Sequence, residues 1–431
     1  MTTTQDRAVR PSHAVQPPAP APLEGRTIGL VGYRPGSAGH RRITLSLFAA
    51  GIATFALIYS TQALLPELAA GFGVSSADST LSLSVTTAAL AVALLVAGPL
   101  SDRIGRTRLI RASLAVSVVL AAAAAFAPTW STFLGLRLAM GVTIAGLPAV
   151  ATAYLREELE HDAQAGAVGL YIGGNAIGGM VGRLATGPVA ELWGWRWALV
   201  AVAGLGLVCT AIVLVGLPPS RHFVARSAGV RPMLSMARRA VGDPVLLALY
   251  AVGLLGCGAF VAVFNAIGFR LTTAPFGLGL GAASLVFLVY ACGTLGSAVG
   301  GRLADRFGRR AVAPLGALLA LAGLLLTLPD ALPAIVAGMA VMTAGFFVVH
   351  GVASGWVPVR AHAGGVASAQ AASLYLFAYY VGSSVLGTAG GHAFAYAGWS
   401  GVVALSGLLF AGAGLLTLVI RRTPILDRPK G

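Results

Sequence analysis

The chain has 431 residues, of which 57% are hydrophobic and only 10% are charged, and its mean hydropathy is +0.84. Soluble domains carry about 25% charged residues, so this composition excludes an ordinary soluble protein and predicts an integral membrane protein. The net charge of +15 does not indicate nucleic-acid binding, because the basic residues fall in short clusters between apolar runs. Three cysteines lie inside apolar runs and favour packing over disulfide formation: Cys209, Cys257 and Cys292.

In chain order, residues 1–42 are rich in Pro, Ala, Gly and Arg and are predicted to form a disordered tail without a signal peptide. Six apolar runs follow in an amino half (43–218) and six in a carboxyl half (244–420), with a basic linker (219–243) between them and a short tail (421–431) after them. Most runs hold about 20 residues, enough for a helix across about 30 Å of hydrocarbon. The runs are 43–68, 79–100, 109–128, 132–155, 163–192, 197–217, 244–269, 282–303, 311–328, 331–356, 366–397 and 401–420.

A short basic hinge occurs twice, and its carboxylates Asp102 and Asp305 lie 203 residues apart. Further matches occur at an offset of 204: Leu170-Tyr171 with Leu374-Tyr375, Gly178 with Gly382, Gly187 with Gly391, and Gly194-Trp195 with Gly398-Trp399. The spacing is nearly half of the chain, so it predicts two homologous halves.

The arginines predict the orientation in the membrane. Placing both termini in the cytoplasm puts 25 of the 29 basic residues on that side, as the positive-inside rule requires. The four that remain elsewhere are Arg137, Arg183, Arg196 and Arg270.

The hinge sequence Gly-x-Leu-Ala/Ser-Asp-Arg-x-Gly-Arg lies between the second and third predicted helices and again between the eighth and ninth. It resembles the signature hinge of the major facilitator superfamily, and the twelve runs with a central basic linker are also similar to that family. The resemblance covers residues 43–420. It implies an all-α integral membrane fold of twelve helices in two pseudo-symmetric six-helix bundles, with transport by alternating access around a site near the midplane.

The two hinges are the expected gating elements, with Asp102, Arg103, Gly105, Arg106, Asp305, Arg306, Gly308 and Arg309 as the gating residues. A carboxylate at the carboxyl end of a helix opposes the helix dipole and needs another partner. We therefore expect Asp102 to face the start of the eleventh helix near 365–368, and Asp305 to face the start of the fifth near 163–165. These pairs would form a cytoplasmic latch, while the glycines supply tight turns and the arginines contact lipid phosphates.

The fourth and fifth predicted helices carry unusual residues. Arg137 precedes Gly141 in an arrangement similar to the family's intramembrane Arg-x-x-x-Gly element, and Pro148 predicts a kink further on. An arginine inside a span is costly, so we expect Arg137 to face the cavity or a partner. Glycines three or four residues apart, at 166, 169, 173, 174, 178, 179 and 182, predict a helix-packing seam at the domain interface, with Gly169, Gly174, Gly178 and Gly182 as its packing residues.

This glycine run resembles the family's antiporter motif Gly-Pro-x-x-Gly-Gly, although Asn175 stands where that motif has Pro. Together with the stretches at 169–171, 345–347 and 373–375, it is similar to the YnfM-type branch of the superfamily, which is usually labelled arabinose-efflux or drug-efflux permeases. The resemblance implies that the first, fourth, seventh and tenth helices line the cavity. The substrate-binding candidates there and on the adjoining fifth and eleventh helices are Tyr59, Gln62, Arg137, Asn175, Phe264, Asn265, Phe346, His350 and Tyr379.

Proton coupling needs a titratable group near the cavity, and the spans hold no mid-membrane carboxylate. Glu67, at the outer end of the first run, and His350, whose ordinary pKa is near 6.5, are the candidates. Equally, Glu67 could cap a helix and His350 could bond to backbone or to Ser354. We predict proton-coupled exchange in which Arg137 holds a substrate anion or tunes the proton site.

The only lysine, Lys430, lies in the tail, which excludes a Walker A loop or a lysine Schiff base in the membrane body, and no His/Cys cluster has metal spacing. The sequence therefore predicts no enzyme, cofactor or metal. It favours a monomeric inner-membrane exporter of a small organic solute. Solute uptake or uniport, and a transport-inactive sensor on the same scaffold, stay open as alternatives.

Overall fold

The computed structural model describes residues 32–221 and 230–422, which fold almost entirely into helices. The predicted disorder of residues 1–31 therefore lies outside the described residues, as do linker residues 222–229 and tail residues 423–431.

The α-helices follow one another along the chain and are joined mostly by short turns. They are α1 (Ala38–Tyr59), α2 (Leu65–Phe72), α3 (Ser76–Ser79), α4 (Leu81–Ile104), α5 (Arg106–Ala125), α6 (Trp130–Ile144), α7 (Gly146–Glu158), α8 (His161–Trp193), α9 (Trp195–Gly216), α10 (Val230–Gly242), α11 (Pro244–Thr272), α12 (Leu280–Ser284), α13 (Tyr290–Phe307), α14 (Arg309–Leu326), α15 (Leu332–Ala363) and α16 (Ser368–Arg421). Two 3₁₀ turns, Gln62–Leu64 and Leu285–Val289, interrupt the first and eighth membrane segments.

Twelve membrane-spanning segments can be assigned within the described residues. Ten stretches are long and apolar enough to cross a bilayer, and the longest of them, α16, contains two spans because Ala397 and Gly398 are not helical. The twelfth is α8, which is long enough but rich in glycine, and glycine contributes little hydropathy. The predicted twelve-helix fold is confirmed.

Some boundaries differ from the sequence prediction. The first helix begins at Ala38, not Ile43, because the Ser37 hydroxyl accepts a hydrogen bond from the His40 N–H and caps it. Before it, Tyr33 forms a short bridge with Leu159. Part of the predicted tail is thus ordered, and most of the described linker is the helix α10.

The repeat is visible in the turns. Gly105 and Gly308 close the two hinges with φ of 98° and 85°, and Gly194 and Gly398 have φ of 83° and 59° at matching places in the two halves. Positive φ is accessible to glycine without steric cost, so these residues let consecutive helices reverse direction. The predicted tight hinge turns are present.

The glycine seam joins α8 to α1 inside the amino half, and the expectation that it lies at the domain interface needs correction. A Cβ on Gly174, Gly178 or Gly182 would collide with the backbone of α1. Gly169 is not part of the seam, because among the described residues nothing lies within 4 Å of where its Cβ would be. The predicted close approach is real, but it holds one bundle together.

At the predicted proline kink the span is interrupted at one residue, Ala145, between α6 and α7. The first helix ends at Ile144 and the second begins at Gly146. Pro148 has no N–H to donate to the Ile144 carbonyl, so the helix cannot continue through this point without losing a hydrogen bond.

Candidate functional site

The two halves meet on one side of the molecule. The hinges at Gly105 and Gly308 define a hinge face, and α1, α8 and α11 run from it to the opposite face. Four hydrogen bonds link the halves within the described residues, and all lie in the part remote from the hinges. They are Gln62 Nε2 to Asn265 Oδ1 (2.7 Å), Gly281 N to Glu191 Oε2 (2.6 Å), Ser384 Oγ to the Ser84 carbonyl (2.8 Å) and Thr388 Oγ1 to Ser84 Oγ (2.6 Å).

Gln62 and Asn265 stand 203 residues apart, so they are equivalent positions of the two halves. Equivalent residues that touch each other lie beside the pseudo-twofold axis. Each also forms a hydrogen bond within its own half. Gln62 Oε1 accepts from Arg183 Nε at 2.6 Å, and Asn265 Nδ2 donates to the Gly387 carbonyl at 3.4 Å. Arg183 and Gly387 are equivalent at an offset of 204, so the axis has a cation on one side only.

Arg183 is held almost entirely out of solvent, with 1% of its surface exposed. Its guanidinium carbon lies 4.0 Å from the ring centre of Tyr59, 4.4 Å from that of Tyr290 and 5.5 Å from that of Phe287. Nη1 also donates to the carbonyl of Gly179. Tyr290 and Phe287 belong to the carboxyl half, so the arginine bridges both bundles through cation–π contacts.

An aromatic row extends from this cation into the carboxyl half. The ring centres of Tyr290 and Phe260 are 5.4 Å apart, and Phe260 stacks on Phe346 at 4.2 Å. The row continues to His350, 5.8 Å from Phe346, and to Tyr379, 4.8 Å from His350. Three candidates from the sequence, Phe346, His350 and Tyr379, are therefore brought together. Phe264 is also in contact with Phe260 and Tyr290.

The expected structural partner of His350 was wrong. Its Nδ1 lies 3.0 Å from the hydroxyl of Tyr375, whereas the Ser354 hydroxyl donates to the Gly351 carbonyl. His350 and Ser354 are four residues apart on the same helix, but the serine finds a closer acceptor in its own preceding turn.

Of the two environments expected for Arg137, the cavity or a partner, the structure shows partners within its own bundle. Its guanidinium donates to the carbonyls of Ser82 (2.9 Å), Leu57 (3.0 Å) and Ile58 (2.7 Å). The last two carbonyls lie in the final turn of α1, so Arg137 caps the carboxyl end of that helix together with the Ser60 hydroxyl, which donates to the Leu57 carbonyl. A cation there also complements the helix dipole. In this structure its contacts are structural, and its role in binding stays a prediction.

Asn175 and Glu67 also lie apart from the aromatic row. The Asn175 amide oxygen is buried where α8 meets Gly51 of α1. Glu67 follows Pro66 in the first turn of α2, where the helix dipole favours a carboxylate. This placement fits the capping alternative.

The hinges differ from each other. Arg106 Nη1 lies 2.7 Å from an Asp102 oxygen, and its Nη2 lies 3.0 Å from Glu157, so the amino-half hinge carries a three-residue ion network. Asp305 is exposed. Within the described residues, no ion pair or hydrogen bond joins Asp102 to 365–368 or Asp305 to 163–165, because the halves are held together on the opposite side. The latch stays a prediction for a state in which the hinge faces meet.

The remaining hinge arginines are exposed to different extents. Arg103 and Arg306 are exposed and Arg309 is half-buried. Their positions at the end of the membrane segments suit contact with lipid phosphates, which stays a prediction.

Two repeated six-helix bundles that share a polar network on their symmetry axis define a membrane carrier. The sequence profile of the Major Facilitator Superfamily matches residues 44–297. The chain is 40% identical over 372 residues to the uncharacterized MFS-type transporter YybF of Bacillus subtilis (strain 168), covering 86% of this chain and 91% of that protein. It is also 40% identical over 381 residues to the inner membrane transport protein YnfM of Escherichia coli (strain K12), covering 88% and 91%. The chain belongs to the major facilitator superfamily, a family of transporters and not a class of enzymes.

Solved structures share the fold at low sequence identity. A bacterial homologue of the human lysosomal transporter Spinster, in an inward-facing and unoccupied conformation, gives a TM-score of 0.75 at 14% identity and covers 89% of this chain and 97% of its own. A D-xylose–proton symporter gives 0.65 at 15% identity, covering 89% and 96%. Both support the two-bundle architecture.

Sequence reasoning missed Arg183, Tyr290 and Phe260. Arg183 could have been found by the argument applied to Arg137, since it too is an arginine inside a span. The role of Tyr290 depends on how α13 is rotated against α8, which one sequence does not reveal.

Proposed function

We propose that this protein is a secondary active transporter that exports a small organic solute by alternating access. The observation that carries the proposal is the one-sided contact between the halves, with the Gln62–Asn265 pair on their axis. Two bundles that are joined on one side and can rock about a shared axis have the architecture that alternating access requires. The chain would work as a monomer, since the axis lies within it.

We infer that the hinge face is cytoplasmic. The basic residues concentrate at that face, so the positive-inside rule places the hinges and both termini in the cytoplasm. The closed side would then face outward, and the solute site would be reached from the cytoplasm, where an exporter collects its solute. The relative YnfM is an inner membrane transport protein, which supports the same location here.

The solute site would lie between the axis and the aromatic row. Tyr59, Gln62 and Asn265 form its outer end, and Phe346 and Tyr379 form its wall in the carboxyl half. Arg183 would take the role predicted for Arg137, because the donors of Arg137 are occupied by backbone carbonyls.

Export would be driven by proton exchange. His350 is the titratable group within the aromatic row, and it is half-buried beside the Tyr375 hydroxyl. An imidazole can accept and release a proton when the site between the bundles opens to water. Glu67, at the closed side, is the second candidate for carrying the proton.

Everted and right-side-out membrane vesicles test direction and coupling together. Everted vesicles energised to acidify their interior, and loaded with a pH-sensitive dye, are challenged with drugs, sugars and organic acids. An exported solute should exchange for protons and collapse the pH gradient in vesicles containing the protein and not in vesicles lacking it. Accumulation only in right-side-out vesicles would show uptake instead, and solute flux indifferent to an imposed pH gradient would show uniport.

A further inference from the structure

The charge balance around Arg183 bears on the charge of the solute. The carboxylates of the described membrane segments lie at helix ends and in turns, and within the described residues Arg183 has no ion-pair partner. A buried cation without a counter-ion is costly in hydrocarbon, and such residues mark substrate or ion pathways. Arg183 needs compensation in every state of the protein.

In the state seen here, part of that compensation comes from the other half. Gln62, Tyr59 and the Gly179 carbonyl move with α8 and α1, but the rings of Tyr290 and Phe287 belong to the carboxyl bundle. When the side remote from the hinges opens, the bundles separate there and the guanidinium loses these two ring faces. The anionic group of a solute that has already bound from the hinge side would replace them until the solute is released.

The chemistry around the guanidinium narrows the class of solute. Guanidinium binds carboxylates with two parallel hydrogen bonds, and its flat face stacks on aromatic rings. The row through Phe260 and Phe346 starts at Tyr290, so an apolar or aromatic body could follow it while its charged end stays at Arg183. No described carboxylate lines this row to hold a cation.

We propose that Arg183 binds the anionic group of the solute, and that the solute is a small organic carboxylate with an aromatic or apolar body. This rests on the proposed transport function and adds the substrate class to it. Gln62 then positions the guanidinium, because its Oε1 accepts a hydrogen bond from Arg183 Nε at 2.6 Å.

Binding to the purified protein tests this with three probes that share one body: 3-phenylpropionate, 3-phenylpropanol and 3-phenylpropylammonium. Their effect on the melting temperature is titrated in wild type, Arg183→Gln and Arg183→Lys. We expect 3-phenylpropionate to bind wild type at least about tenfold more tightly than the alcohol, and the ammonium compound to bind most weakly. Arg183→Gln should lose the preference for the carboxylate, and Arg183→Lys should keep part of it.

The matched control is Arg196→Gln, because Arg196 is an exposed arginine at the start of the next helix, 4.3 Å from the Trp195 ring. It should bind all three probes as wild type does. If Arg183→Gln does not fold, the probe series on wild type and Arg183→Lys still decides. The inference is wrong if wild type shows no response to 3-phenylpropionate, if it prefers the ammonium compound, or if Arg183→Gln binds the carboxylate as tightly as wild type.

The vesicle experiment separates this failure from a failure of the proposed function. Movement of cationic or neutral solutes, with no preference for the carboxylate in binding, would retain the exporter and reject the anion site. A carboxylate that binds at Arg183 but moves in neither vesicle orientation would support the site and reject the exporter.

Discussion

Arg137 and Arg183 are both buried arginines inside helices, but their partners give them different tasks. Arg137 bonds to backbone carbonyls of its own bundle, and its surroundings need not change when the bundles move. Arg183 touches both bundles, so its surroundings must change. The first should therefore matter for stability and the second for function.

Replacing Arg137 by Gln should lower the free energy of unfolding by about 3 kcal/mol, because one amide cannot satisfy the three carbonyls that the guanidinium now caps. Arg137→Lys should recover only part of this, since an ammonium cannot reproduce the planar fork. Thermal unfolding in detergent measures both, with exposed Arg196→Gln as the control. A melting temperature for Arg137→Gln equal to that of wild type would reject the capping role.

The hinge carboxylates should respond unequally to removal of their charge. Asp102→Asn should slow turnover more than it weakens solute binding and favour the state with the hinge faces apart. The substitution removes little stabilisation from that state, because Asp102 and Arg106 are partly exposed and Arg106 keeps its ion pair with Glu157. The state in which the hinge faces meet should lose more stabilisation, because Asp102 is expected to contact the eleventh helix there. Asp305→Asn should behave in the same direction.

Spin labels at His161→Cys and Phe307→Cys, both exposed on the hinge face, report this population by their separation. The native cysteines are replaced first. An unchanged distance distribution in Asp102→Asn would mean that the carboxylate does not latch the halves.

The residue roles that could be predicted from the sequence were those set by local backbone geometry. Gly105 and Gly308 are examples, because a short turn between two helices needs positive φ wherever the helices lie. Roles set by the rotation of one helix against another could not be predicted. Asn175 and Phe346 were both predicted from the sequence to bind the substrate, but in the structure only Phe346 belongs to the aromatic row.

The seam between α8 and α1 is an element whose existence was predicted and whose partner was not. Glycine spacing predicts that another helix packs closely against this one, but the identity of that helix depends on the packing of the whole bundle. The twelve spans were predictable for a simpler reason, since length and hydropathy select all of them except the glycine-rich α8, which its length identifies. The break before Pro148 was predictable from its missing N–H.

Gly178→Val should destabilise the amino bundle by about 3 kcal/mol, because the new side chain would overlap the Ile52 carbonyl of α1. Gly169→Val is the matched control on the same helix, since its Cβ meets no described atom within 4 Å. Yield of monodisperse protein and melting temperature compare the two. Equal loss in both variants would show that helix propensity, and not the seam, governs the effect.

The whole molecule should sit with its hinge face in the cytoplasm. Single cysteines at His161, on the hinge face, and at Thr273, in the turn after α11, should label from opposite sides of the membrane. A membrane-impermeant maleimide added to intact cells should react with Thr273→Cys only. Reaction with His161→Cys alone would invert the orientation, and export would then become uptake from the side seen open here.

Alternation between two bundles is the central claim, and locking the closed side tests it most directly. Ser84 Oγ and Thr388 Oγ1 lie 2.6 Å apart across the halves, so Ser84→Cys/Thr388→Cys in a background without Cys209, Cys257 and Cys292 should form a disulfide on oxidation. Transport in the vesicles should stop on oxidation and return on reduction, while each single cysteine variant transports under both conditions. Transport by the fully cross-linked protein at the rate of the reduced protein would contradict alternating access in this chain.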